Sequence, residues 1–208
     1  MTGSVRFPGG PFRLEGVLRT PEGSECAALL LHPHPRYGGS MDDPVVGALE
    51  EALAPAFATL RFNFRGVGAR AATQPRYTDG AREWGAVEDA RAALDFLAAR
   101  GFRRVAVAGY SFGAWIGARL AASDLRVEAV ALVSPPVSLF KFPARLPCPV
   151  LVVSGKSDPF VPTGKLKAWV EGLPGPKRLV MLDGDHVWMQ GVEGPAREVA
   201  EWLSQARL

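Results

Sequence analysis

The 208-residue sequence predicts an α/β protein, with a mostly parallel central sheet, helices on both faces and an antiparallel hairpin at the N-terminus. Two observations carry the prediction. Short continuous apolar runs recur along the chain, as in strands covered on both faces. Longer segments with helical apolar spacing alternate with them. No internal repeat, low-complexity stretch or linker interrupts the alternation, so residues 1–208 are expected to form one domain.

The elements follow in order. "SVRF", a Pro-Gly-Gly turn and "FRLEGVLRT" form the hairpin. "CAALLLH" is a strand, "DPVVGALEEALA" a helix and "FATLRFNF" a strand. The helix "AREWGAVEDARAALDFLAARG" keeps Val87, Leu94 and Leu97 on its apolar side and stops at Gly101. "RVAVAGY" then leads into the helix "FGAWIGARLAAS". The strands "VEAVALVS" and "PVLVVSG", the helix "TGKLKAWVEGL", the strand "KRLVMLDG" and the helix "EGPAREVAEWLSQARL" complete the chain.

Composition excludes several classes of function. The net charge of +3 comes from scattered arginines. No basic run with interleaved aromatics occurs, so nucleic acid is not an expected partner. The first twenty residues lack a signal-peptide core and no apolar run reaches spanning length, so a soluble, cytoplasmic protein without a membrane partner is expected. Cys26 and Cys148 have no metal-type spacing and each opens an apolar run, which predicts buried free thiols.

The chemistry concentrates at "GYSFG", residues 109–113, where a strand becomes a helix. A serine in so sharp a turn projects its hydroxyl beyond the carboxyl edge of the sheet. Gly109 and Gly113 relieve the crowding, because a Cβ there would strike the adjoining strand and helix. This is the G-x-S-x-G nucleophile elbow in its strand–turn–helix context. The plain alternative is a glycine-lined turn that only packs helix on sheet.

A serine hydroxyl needs a base, and the base needs an orienting acid. His186 follows the last strand in "LDGDHVW", and Asp158 follows the strand before it in "LVVSGKSDPF". The order Ser111, Asp158, His186 is the one this architecture requires. Asp183 and Asp185 are competing acids; Asp185, adjacent to His186, is better suited to tethering the loop. Taken singly, Asp158 could be a turn residue before Pro159, and His186 an exposed loop histidine.

Two other constellations compete. "GVGARA", residues 66–71, fits the loose dinucleotide pattern, but Pro75 follows and no ribose-binding acid ends the next strand. His32 and His34 could be ligands of a metal-dependent hydrolase, yet further ligands are lacking once His186 serves the serine. His32 is better read as a loop-fixing residue bonded to backbone groups. No cofactor or metal is expected.

With these residues in place, the chain resembles the α/β-hydrolase fold over nearly its whole length. It is closer still to the small serine hydrolases grouped around dienelactone hydrolases, which share "HPHPRYGGSM" and "RFNFRGVG" as they stand at residues 32–41 and 61–68. The resemblance implies an ester-type hydrolase with Ser111 as nucleophile, His186 as base and Asp158 as acid, and a His32–Arg36 turn bordering the oxyanion hole. Two departures stand out. A dienelactone hydrolase proper uses a cysteine nucleophile, and the serine that relatives often carry after "RGVG" is replaced by "ARAAT".

The oxyanion hole needs backbone N–H donors. Phe112, after the nucleophile, is one. Pro33 and Pro35 have no N–H, so His34 is the second, with Arg36 in reserve. Only residues 135–149 separate two strands where lipases of this fold insert a helical lid, so a lidless, shallow site is expected. Tyr37, Tyr110, Phe140, Phe142 and Trp188 are candidates for its walls. The expected substrate is a small ester or thioester, and the competing class is a non-catalytic binding member of the fold.

Overall fold

The computed structural model describes residues 1–68 and 83–206. The "ARAAT" stretch and the second half of "GVGARA" lie outside the described residues. Among the described residues, eight strands form one sheet in the order β1-β2-β4-β3-β5-β6-β7-β8. They are β1 (Thr2–Gly9), β2 (Phe12–Arg19), β3 (Cys26–Leu31), β4 (Ala58–Phe62), β5 (Arg104–Tyr110), β6 (Val127–Val133), β7 (Val150–Gly155) and β8 (Lys177–Leu182). β2 runs antiparallel to both β1 and β4, and every other pairing is parallel. The expected architecture is therefore the observed one.

The hairpin differs in detail. Pro8 and Gly9 extend β1, with Gly9 opposite Phe12, and the reversal falls on Gly10 and Pro11. Gly10 takes the positive φ of 65° that such a tight turn requires. Pro8 is tolerated because β1 is an edge strand.

Among the described residues, the α-helices α1 (Pro44–Leu53), α2 (Glu83–Ala98), α3 (Phe112–Ser123), α4 (Thr163–Gly172) and α5 (Glu193–Gln205) cover the two faces. Strand alternation divides the core. Leu29, Leu31, Val105, Val107, Val130 and Leu132 pack toward α2, α3 and α4. Ala28, Ala106, Ala108, Ala129 and Ala131 face α1 and α5, and their small side chains let those helices sit close to the sheet. β8 departs from the fully covered pattern: Lys177 and Arg178 are exposed, because an edge strand has a neighbour on one side only. Cys26 is likewise only partly buried, at the start of β3, whereas Cys148 is buried; both thiols are free.

Successive strands step to one side of β3 and to the other side of β5, so the chain reverses direction between these neighbours. Loops leaving the carboxyl ends of strands at such a switch point diverge and open a crevice. The turn beginning at His32 and the Ser111 elbow both emerge there.

Candidate active site

Ser111 connects β5 to α3 with φ 54° and ψ −114°, a conformation that L-residues rarely adopt. Both flanking glycines are required. A Cβ on Gly109 would run into the carbonyl of Gly113, and one on Gly113 into the carbonyl of Leu31 at the end of β3. The elbow is thereby pressed against β3.

Ser111 Oγ lies 2.9 Å from His186 Nε2. His186 Nδ1 lies 2.7 Å from Asp158 Oδ2. A carboxylate only accepts, so Nδ1 carries the proton and Nε2 faces the serine as an acceptor. The Asp158 side chain is fully buried and that of His186 is 13% exposed. The other Asp158 oxygen accepts the Phe160 N–H at 2.9 Å. Asp158 is thus both the turn-forming residue before Pro159 and the partner of His186. Asp185 instead accepts the Met189 N–H within its own loop, and Asp183 pairs with Lys156 on the surface.

Three contacts position the histidine loop. The Tyr110 hydroxyl donates to the His186 carbonyl at 2.9 Å, and burial pushes the Tyr110 pKa up, so the phenol keeps its proton. The indole N–H of Trp188 donates to Ser134 Oγ at 3.1 Å. Gly155 lets the loop cross β7, since a Cβ there would meet the Gly184 carbonyl.

The opposite wall is the turn after β3. His32 is completely buried, and its Nδ1 lies 2.7 Å from the Pro33 carbonyl oxygen. Its Nε2 accepts the Phe64 N–H at 3.1 Å. Both nitrogens are committed to backbone, which leaves neither for a metal. Burial lowers the His32 pKa to about 4, so the ring is neutral. Among the described residues, no three His, Cys, Asp or Glu side chains cluster as a metal site. His34 caps the short 3-10 turn Pro35–Tyr37, its Nδ1 accepting the Arg36 N–H at 3.1 Å. Arg36, the reserve oxyanion donor, is therefore engaged by the His34 ring. That ring also packs on Phe112 at 4.6 Å between centroids, which joins the turn to the elbow.

The wall candidates separate. Trp188 and Tyr110 are buried, and Phe142 is buried against Trp169. Phe140 is half-buried, stacked on Trp115 at 4.5 Å and close to Phe112. Tyr37 is 90% exposed beside His34. Phe160 escaped the sequence reading. Its ring meets His186 edge-on at 4.9 Å and is 42% exposed. Its place two residues after Asp158, in an Asp-Pro turn, was the available signal. No helix forms between β6 and β7, so the fold carries no lid there. No described helix is long and apolar enough to cross a membrane.

A family model described as the alpha/beta hydrolase family matches residues 28–146. A putative alpha/beta hydrolase of unknown function from Agrobacterium tumefaciens is 30% identical, with a TM-score of 0.85 over 98% of this chain and 95% of its own. An alpha-beta serine hydrolase homologue from Coxiella burnetii is 32% identical, with a TM-score of 0.80 over 98% and 96%. A lidless serine hydrolase from Xanthomonas campestris is 26% identical, with a TM-score of 0.83 over 99% and 93%.

Proposed function

The chain belongs to the alpha/beta hydrolase family, and from that premise we propose that it is a serine hydrolase cleaving carboxylic esters or thioesters through an acyl-enzyme. The observation that carries this reading is the unbroken hydrogen-bond chain from Asp158 through His186 to Ser111. The serine hydrolase names of the Coxiella and Xanthomonas relatives support it.

In this mechanism Ser111 Oγ attacks the carbonyl carbon while its proton passes to His186 Nε2. Asp158 holds the imidazole in the Nδ1–H tautomer and stabilises the imidazolium. The backbone N–H groups of Phe112 and His34 receive the negative charge developing on the carbonyl oxygen. The bond to the alcohol or thiol then breaks, and His186 gives its proton to the departing atom. Water enters, loses a proton to His186 and attacks the acyl carbon. Collapse releases the carboxylic acid and returns the proton to Ser111. No cofactor takes part.

Labelling by a fluorophosphonate tests the reading. Wild-type protein is covalently modified at Ser111, and Ser111→Ala abolishes both labelling and turnover. An unlabelled wild-type protein, inactive across a panel of esters and thioesters, would make the chain a binding member of the fold.

A further inference from the structure

His186 gives its proton to the leaving group, so the leaving group must lie against the imidazole in the transition state. Whatever flanks that ring therefore helps decide which alcohols are expelled. Among the described residues, two aromatic rings do so. Tyr110 is buried, with its hydroxyl spent on the His186 carbonyl, whereas Phe160 is exposed to an arriving molecule.

Phe160 is held in place from both sides of its backbone. Its N–H donates to Asp158 Oδ1 at 2.9 Å, and its carbonyl accepts the Ser138 hydroxyl at 2.6 Å. An aromatic side chain fixed this way and left 42% exposed loses little entropy when a ligand covers it. Further exposed apolar side chains lie on the adjoining segments. Val187 and Met189, on the histidine loop, are 55% and 80% exposed. Leu139 follows the serine that bonds Phe160 and is also exposed.

Charge points the same way. The two loops flanking His186, residues 156–162 and 183–191, carry Asp158, Asp183 and Asp185 against a single cation, Lys156. Lys156 is paired with Asp183 at 2.8 Å. Asp158 is buried against His186 and Asp183 is paired, so a polyanionic leaving group such as coenzyme A would meet the Asp185 carboxylate there and no unpaired cation within these two loops.

We propose that Phe160 is the leaving-group specificity residue of this site, selecting esters of uncharged apolar alcohols, aryl alcohols above all, over those of polyanionic leaving groups. This rests on the acyl-enzyme reading above. The alcohol departs during acylation, so Phe160 acts on acylation, and deacylation of a common acyl-enzyme proceeds without it.

Phenyl acetate and ethyl acetate leave the same acetyl group on Ser111 and test the point. In Phe160→Ala, the kcat/KM ratio of phenyl to ethyl acetate falls about tenfold from its wild-type value, the scale of one lost apolar contact. The loss falls on acylation and not on the deacylation rate measured after a burst. Phe160→Leu, which keeps an apolar surface, recovers most of the ratio and covers the case in which the alanine variant folds poorly. With wild-type enzyme, S-ethyl thioacetate is preferred to acetyl-CoA. An unchanged ratio with slowed deacylation would reduce Phe160 to a prop for Asp158, and a preference for acetyl-CoA would likewise overturn the proposal. If neither acetate acylates Ser111, the ester-hydrolase reading itself falls and takes this inference with it.

Discussion

His32 donates from Nδ1 to the carbonyl oxygen of Pro33 at 2.7 Å, and that bond fixes the peptide joining Pro33 to His34. In a planar trans peptide the carbonyl and the N–H point in opposite directions. With the carbonyl turned toward the His32 ring, the His34 N–H is turned away from it. A buried imidazole thus orients the proposed oxyanion donor through the peptide bond.

His32 also makes stability depend on pH. Its pKa is depressed from 6.5 to about 4, so the unfolded chain binds the extra proton more readily than the fold does. The contribution is complete above pH 6.5 and is lost progressively as pH falls to 4. A shift of this size corresponds to about 3 kcal/mol. Urea unfolding of wild type and His32→Gln between pH 4 and 7 measures it: the wild type loses more stability than the variant across that window. Parallel curves would mean that His32 does not titrate as the geometry requires.

The ring and the backbone of His34 have separable tasks. His34→Ala keeps the N–H but removes the cap on Arg36, which costs about 1 kcal/mol of stability. Most of the activity survives. His34→Pro deletes the donor, and kcat falls about 100- to 1000-fold. Matched melting temperatures are the control for that variant. A folded but inactive His34→Ala would make the imidazole itself catalytic.

Asp158→Asn retains an oxygen for the Phe160 N–H and so keeps the turn. Its amide, however, cannot accept from Nδ1–H while it donates there, and the imidazole adopts the wrong tautomer. We expect kcat to drop by about 10⁴-fold with the melting temperature nearly unchanged. Asp183→Asn breaks only an exposed ion pair, worth under about 1 kcal/mol, and leaves kcat intact. The reverse pattern would assign the acid to Asp183.

Ser111 stores backbone strain, because its φ of 54° suits glycine and not a residue with a Cβ. Ser111→Gly should therefore be inactive yet more stable than wild type, by about 1 kcal/mol. Ser111→Ala, inactive as well, keeps the strain and should not gain this stability. Denaturant midpoints of the three proteins decide the matter, and equal values for Gly and Ala would show that the elbow is not strained.

The strand–helix alternation, the glycines at 109 and 113, and the order Ser111, Asp158, His186 were legible in the sequence. Each is a local property: apolar periodicity reports burial, and a turn announces its own backbone demands. The sequence likewise pointed to His34 as the candidate oxyanion donor in its turn, with Arg36 in reserve, because proline has no N–H wherever the chain goes. The folded chain decided how these pieces meet. Only the sheet order brings the His32 turn beside the elbow, and only then does His32 find the Phe64 N–H, 32 residues away. Tyr110 and Trp188 look like pocket walls in sequence. In the fold both are buried, Tyr110 reaching 76 residues along the chain to the His186 carbonyl and Trp188 reaching Ser134 across 54. Phe160, marked in the sequence only by the Asp-Pro turn it follows, comes to rest on His186 because Asp158 and Ser138 capture its backbone from either side. Such pairings depend on which strands become neighbours, and that is set by the packing of both sheet faces at once, which no short stretch of residues encodes.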